Sequence, residues 1–114
     1  MGFSIFNLDS TVMDATLYLP QQPPQPVSTE GLTMPNPTTG LVGVPASVPE
    51  LLGCAANLVD VLASGLGYVA YSIFDCEDDM NPAAMEAVAQ ISGVSFAFDD
   101  EDAVLRGAVL VVTA

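Results

Sequence analysis

The sequence predicts a small single α+β domain, in which two helices pack on a mainly antiparallel sheet of three or four strands. The chain of 114 residues is long enough for one hydrophobic core, and its hydrophobic fraction of 51% is too high for a disordered chain. Both strand-like and helix-like segments also occur along it, which predicts helices packed on a sheet. We expect residues 1–45 to form a first strand and an extended proline-rich arm, and residues 46–114 to form the compact core.

Residues 11–19 have the two-residue period of a half-buried strand. Their apolar side chains share one face, which consists of Met13, Ala15, Leu17 and Leu19. Polar side chains and a tyrosine occupy the other face. This segment is therefore the first predicted strand, with its apolar face directed towards a core.

Pro20 ends this strand, and a run of proline and glutamine follows that favours a polyproline II conformation. Turn residues continue as far as Pro45, and loops of this length are usually functional or disordered. Apolar residues recur along the segment, which favours an arm that lies on a neighbouring subunit. We therefore name as interface residues Leu17, Leu19, Pro23, Pro24, Pro26, Leu32, Met34 and Leu41.

A capping-box pattern at residues 47–50, Ser-Val-Pro-Glu, predicts the start of the first helix. We expect this helix to run to about Ser64 and to end at the glycines Gly65 and Gly67. Its circumference is mostly apolar, so it needs cover on most sides. Residues 68–74 then form a strand that is apolar on both faces.

The stretch 51–74 is also apolar enough and long enough to span a bilayer, which makes a small membrane protein one alternative. Asn57 and Asp60 lie near its middle, and a charged side chain is costly at that depth. Neither flank carries a basic residue that would orient the segment. These observations favour a buried helix and strand over a transmembrane helix.

The second helix has the clearest signals at both of its ends. Asn81 is a favourable N-cap, and Pro82 suits the first helical position. We expect the helix to continue through Ile91 and to end at Gly93. Residues 94–98 and 108–113 then predict two strands that form a hairpin with a wide loop.

The balance of charges excludes several functional classes. The chain has 14 acidic residues, one arginine, no lysine and no histidine, which gives a formal net charge of −13. Nucleic-acid binding needs basic residues that neutralise phosphates, so we expect no nucleic-acid partner. Histidine bases, Schiff-base lysines and histidine metal sites cannot form. Paired carboxylates would need a deep cleft that a small core does not provide, and we expect a non-enzymatic protein.

Eight of the acidic residues lie in two loops, at residues 75–79 and 99–102. Carboxylate clusters suit Ca²⁺, and the first loop partly follows the spacing of an EF-hand. The pattern then fails, because Met80 replaces the glycine of the sharp turn. An irregular calcium site and a solvated acidic surface both remain open. The candidate ligands are Asp75, Glu77, Asp79, Asp100 and Asp102.

Three other residues are notable for what surrounds them in the sequence. Arg106, the only basic side chain, follows the second acidic loop and forms either a local ion pair or a clamp on a neighbouring subunit. Cys54 and Cys76 are separated by 22 residues and belong to no metal or redox motif. We expect both to be free thiols.

These features together indicate a non-enzymatic assembly subunit, and a viral capsid decoration (cement) protein or another minor virion protein fits them best. An apolar surplus in a small domain usually marks a surface that is buried against partners, so a homo-oligomer such as a trimer is expected. Acidic, lysine-free chains also suit saline habitats, where salt screens their self-repulsion. The amino terminus lacks the pattern of a secretion signal, so we expect the protein in the virion or the cytoplasm. A nucleic-acid mimic that inhibits a basic protein is another alternative.

Overall fold

The computed structural model describes residues 13–93 and 104–114. They form one five-stranded antiparallel sheet, so the α+β prediction holds but the sheet has more strands than the predicted three or four. The helices and strands are β1 (Asp14–Tyr18), β2 (Gln25–Val27), α1 (Ser47–Leu52), β3 (Val59–Gly65), β4 (Tyr68–Ile73), α2 (Pro82–Ser92) and β5 (Val109–Thr113). Across the sheet the strands follow the order β2, β1, β5, β4, β3.

The last strand, β5, lies at the centre of the sheet. It pairs with β1 from Asp14 opposite Thr113 to Tyr18 opposite Val109. On its other edge it pairs with β4, from Tyr68 opposite Thr113 to Ser72 opposite Val109. Its almost continuous apolar sequence is typical of a strand that is covered on both faces. The predicted strand at 94–98 lies outside the described residues.

Each face of the sheet is covered by a different part of the chain. On the first face, α1 and the arm pack over the sheet; the buried residues there are Ala15, Leu17, Leu32, Val48, Leu52, Val69, Tyr71, Ala108, Leu110 and Val112. On the second face, α2 covers the sheet; the buried residues there are Ala70, Ala84, Met85, Val88, Leu105, Val109 and Val111. The chain therefore covers its own apolar strands, which reduces the apolar surface left for partners.

The arm folds back onto the sheet of its own chain. Within it, β2 pairs with β1, and Leu32 is buried in the core of the first face. Tyr71 fixes a later part of the arm, because its hydroxyl donates a hydrogen bond to the Gly43 carbonyl at 2.8 Å. Leu17 and Leu32 are therefore core residues of this fold, and Leu19 and Met34 pack against the same core. Pro23, Pro24, Pro26 and Leu41 are exposed.

The predicted helix over residues 47–64 is wrong. Helix α1 ends at Leu52, because Gly53 adopts a left-handed conformation with φ of 77° and its N–H donates to the Pro49 carbonyl. A 3-10 turn, Ala56–Leu58, then leads directly into β3. Neither helix in the ranges 13–93 and 104–114 is long and apolar enough to cross a membrane.

The predicted capping box at the start of α1 is also wrong. The N-cap residue is Ala46, and no side chain caps the helix there. The Ser47 hydroxyl is instead buried without a hydrogen-bond partner in the described part of the chain. The helix is held by packing, because Val48 and Leu52 point into the core of the first face.

Candidate assembly surface

The antiparallel sheet has two ends that differ in chemistry. At one end, the turn between β3 and β4 lies beside the final residue, Ala114. We call this the tip end. At the other end, the segment 75–80 follows β4 and pairs with the residues that precede β5, through an isolated bridge between Met80 and Arg106. We call this the acidic end, because it carries Asp75, Glu77, Asp78 and Asp79.

The hairpin turn at the tip end consists of Leu66 and Gly67, since Gly65 pairs with Tyr68. Gly67 has a φ of 83°, which favours glycine, and a Cβ on Gly65 would overlap the Tyr68 ring. The Ala114 N–H donates to the Gly67 carbonyl at 2.8 Å and joins the turn to the end of the chain. The turn is thus fixed on both sides, and its Leu66 side chain is 86% exposed.

A second loop, Asn36–Leu41, lies beside this turn and is organised by Asn36. The Asn36 side-chain oxygen accepts from the N–H groups of Thr38 at 2.8 Å and Thr39 at 3.0 Å. Its backbone also closes the loop, because its carbonyl accepts from Gly40 and its N–H donates to the Leu41 carbonyl. Such Asx-type bonding gives a loop a defined shape. The loop presents Leu41, which is 73% exposed.

Between the loop and the turn lies a pocket of about 210 Å³. It is lined by Pro35, Asn36, Pro37, Gly40, Ser64, Gly65 and Leu66. We call residues 35–41 and 64–67 together the tip surface. None of these residues is charged or titratable, so the surface can bind apolar groups but offers no acid–base chemistry.

The edges of the sheet are less suited to association than the tip surface. The edge strand β2 contains Pro26, which cannot donate a ladder hydrogen bond. The opposite edge strand, β3, has a register irregularity between Val61 and Ala63 and carries the exposed, charged Asp60. Bulges, prolines and charges are the features with which natural sheets protect their edges.

At the acidic end, two of the carboxylates accept hydrogen bonds from groups of the same chain. Asp78 accepts a hydrogen bond from the N–H of Asp79 at 2.8 Å, and Asp79 accepts one from the Gln21 side chain at 3.1 Å. Among the residues that the structure describes, no group of three or more cysteine or acidic side chains could hold a metal ion. The structure therefore does not gather Asp75, Glu77 and Asp79 into one ligand set, and Asp100 and Asp102 lie outside the described residues.

Arg106 also makes a local contact at the acidic end. Its guanidinium donates to the backbone carbonyl of Asp78 at 3.2 Å. It lines a pocket of about 300 Å³ together with Ser72, Ile73, Asp75, Cys76, Val104 and Leu105. Its predicted ion-pair partners at 99–102 lie outside the described residues. In the described part of the chain, Arg106 supports the segment that carries the first acidic loop.

Asn81 has a second role that the sequence did not indicate. Its side-chain oxygen caps α2 as predicted, by accepting from the Ala84 N–H at 3.4 Å. Its side-chain NH₂ also donates to the carbonyls of Tyr18 at 3.0 Å and Gly107 at 2.7 Å. Asn81 is only 1% exposed, so one buried amide joins β1, α2 and the approach to β5. Only the cap has a local sequence signal, because the other two partners are distant in the chain.

Among residues 13–93 and 104–114, Tyr71 and Cys54 have shifted pKa values. Burial raises the pKa of the Tyr71 hydroxyl, which keeps it neutral as a donor to Gly43. Burial also raises the pKa of the Cys54 thiol, and the negative charge of a nearby Cys76 thiolate raises it further. Both cysteines are free in this structure.

No family model, curated protein or solved structure matches this chain. A function must therefore be argued from the surfaces of the chain itself. The tip surface is the most distinctive of those described, because two large apolar side chains are held in defined positions on it. In a soluble monomer, such side chains gain little from being exposed.

Proposed function

We propose that this chain is a non-enzymatic structural subunit that associates with further copies of itself through the tip surface. The observation that carries the proposal is the exposure of Leu66 and Leu41, at 86% and 73%, on two hydrogen-bonded loops beside a neutral pocket. Apolar side chains at the centre of an uncharged patch are typical of protein–protein contacts. Their fixed backbone lowers the entropic cost of binding.

The distribution of charge supports a second copy as the occupant of this surface. Copies of a chain with net charge −13 repel one another, and the repulsion is weakest where their neutral parts meet. Strand β4 has six residues, so the acidic end lies about 20 Å from the tip. Two copies in contact at their tips keep these acidic segments about 40 Å apart, several times the Debye length of about 8 Å at physiological salt.

Within this function, we propose a place in a virus particle, as a capsid decoration protein or another minor virion component. Small size, an uncharged contact surface and acidic residues at the opposite end suit a subunit that adds to an existing shell. The acidic ends would then face solvent and keep the particle soluble. Detection of the protein in purified particles, or a gene next to those for capsid and portal proteins, would support this assignment. A gene in an unrelated operon would argue against it.

Sedimentation equilibrium of the whole chain tests the self-association. We expect the wild-type protein to form an oligomer and Leu66→Ser to be a monomer, because the substitution removes the most exposed apolar side chain of the tip surface. Phe74→Ser is the matched control, since Phe74 is 64% exposed but lies at the acidic end. A monomeric wild-type protein, or equal loss of association in both variants, would contradict the proposal.

A further inference from the structure

Two cysteines that are distant in the sequence both follow or precede the β3–β4 hairpin at its acidic end. The last pair of the β3–β4 ladder is Val59 opposite Ile73, and the Phe74 N–H extends the ladder by donating to the Leu58 carbonyl at 2.7 Å. The chain segments that contain Cys54 and Cys76 therefore leave the hairpin at the same end. Both side chains are half-buried and both are free thiols in this structure.

The two thiols have different packing partners. Cys54 packs on the core of the first face. The Cys76 Sγ atom lies against Gly107, where a Cβ would approach it to 2.5 Å. Burial raises the pKa of the Cys54 thiol, and an electrostatic interaction with Cys76 raises it further. The hairpin register puts both thiols at the acidic end, and their electrostatic interaction supports a short separation between them.

We propose that Cys54 and Cys76 form an intramolecular disulfide when the protein meets a low-molecular-weight disulfide such as oxidised glutathione. Residues 76–79 and Gly53 to Ala55 lie outside the regular helices and strands, so they can adjust to bring the sulfurs to bonding distance. The bond would close a loop that contains the whole β3–β4 hairpin. This inference does not depend on the proposed self-association.

The reaction proceeds by two thiol–disulfide exchanges. The Cys76 thiolate attacks one sulfur of the small disulfide, which forms a mixed disulfide and releases one small thiolate. Cys54 then loses its proton and attacks the Cys76 sulfur, which forms the protein disulfide and releases the second small thiolate. Two protein thiols are oxidised by two electrons in total, the small disulfide is reduced, and the released thiolates take up the two protons.

The test is to incubate the whole protein in glutathione buffers of increasing oxidation, alkylate the remaining thiols and measure the intact mass. We expect the intact mass of the monomer to be two hydrogens below that of the reduced protein, with no mass added by the alkylating reagent. In guanidinium chloride the chain is unfolded, and the two thiols meet only through random motion of the chain. We therefore expect the equilibrium constant for formation of the protein disulfide to be about 100-fold lower than in the native protein. Native wild-type protein that retains two alkylated thiols, gives only mixed disulfides or forms covalent dimers would overturn the proposal.

Cys54→Ser and Cys76→Ser are the matched controls, and circular dichroism shows whether each variant folds. Each variant retains one thiol and can form only a mixed disulfide. We expect oxidation to raise the Tm of the wild-type protein by about 10 °C or more, because the bond restricts the unfolded chain. Neither variant gains this increase. An oxidised wild-type protein whose Tm does not exceed that of the variants would overturn the inference that the native fold accommodates the bond.

Discussion

The two ends of the β3–β4 hairpin share one ladder of hydrogen bonds but present opposite surfaces. At the tip end, a two-residue turn and the loop around Asn36 hold uncharged, apolar side chains in place. At the acidic end, an irregular segment carries four carboxylates, and the buried Asn81 follows it and donates to the Gly107 carbonyl. The comparison shows that the acidic segment 75–79 and the uncharged tip surface lie at opposite ends of the strands, although Phe74 is exposed at the acidic end. An acidic chain can therefore offer a neutral contact surface.

Removal of the buried amide at the acidic end should have the largest effect. We expect Asn81→Ala to lower the free energy of unfolding by about 3 kcal/mol, because it leaves the Tyr18 and Gly107 carbonyls without a donor and removes the α2 cap. Urea unfolding of the monomer measures this loss.

The matched variant at the tip end is Asn36→Ala. Its side-chain bonds are exposed, so water can replace them, and we expect a loss of about 1 kcal/mol or less. Its main effect should be weaker self-association, because the loop that presents Leu41 becomes less defined. Equal losses of stability for the two asparagine variants would contradict the difference between the ends.

Tyr71→Phe should loosen the attachment of the tip loop without changing the acidic end. The variant lacks the hydrogen bond to Gly43, two residues beyond Leu41, and we expect it to lose about 1 kcal/mol at neutral pH. Equilibrium unfolding in urea measures this difference.

The same residue predicts a pH dependence. The folded pKa of Tyr71 is raised above the unfolded value of about 10, so its contribution is fully present below that pH and is lost as the pH rises towards the folded value. Unfolding measured across the alkaline range should show this loss in the wild-type protein. If Tyr71→Phe loses stability with pH to the same extent, Tyr71 is not the responsible group.

Salt should act mainly at the acidic end, with the smallest of these effects. We expect Glu77→Gln to raise the Tm slightly at low salt and to reduce the increase in Tm on addition of NaCl, because one repulsive charge is removed from the 75–79 segment. Glu30→Gln is the control, since Glu30 has no acidic neighbour in the sequence. A change of the same size in both variants would show that only the total charge matters.

Local patterns in the sequence predict parts of this fold well. The alternation at 13–19 identifies β1 and the face that it buries, and Asn81, Pro82 and Gly93 mark α2 to within a residue. The same reasoning fails over 47–64, because an apolar run is compatible with both a helix and a buried strand. Gly53, which ends α1, was the local signal that could have separated the two.

The sequence also identifies only half of the tip surface. The sequence predicts Leu41 as an interface residue but not Leu66, because Gly65 and Gly67 indicate the end of a helix there. If residues 59–65 are taken as a strand, then Leu66 and Gly67 between it and Tyr68 predict a two-residue hairpin turn, in which Leu66 is exposed. The pocket between the two loops depends on contacts between distant segments, for which the sequence has no local signal.

The central claim is that copies of this chain meet at their tips, and the distance between spin labels on different copies tests it most directly. In a cysteine-free background, Thr38→Cys places a label within the loop of the tip surface and Glu77→Cys places one at the acidic end. Double electron–electron resonance on the assembled protein should give a short distance for the Thr38 label and one of about 40 Å or more for the Glu77 label. A shorter distance for the Glu77 label, or no distance between copies for either, would contradict the claim.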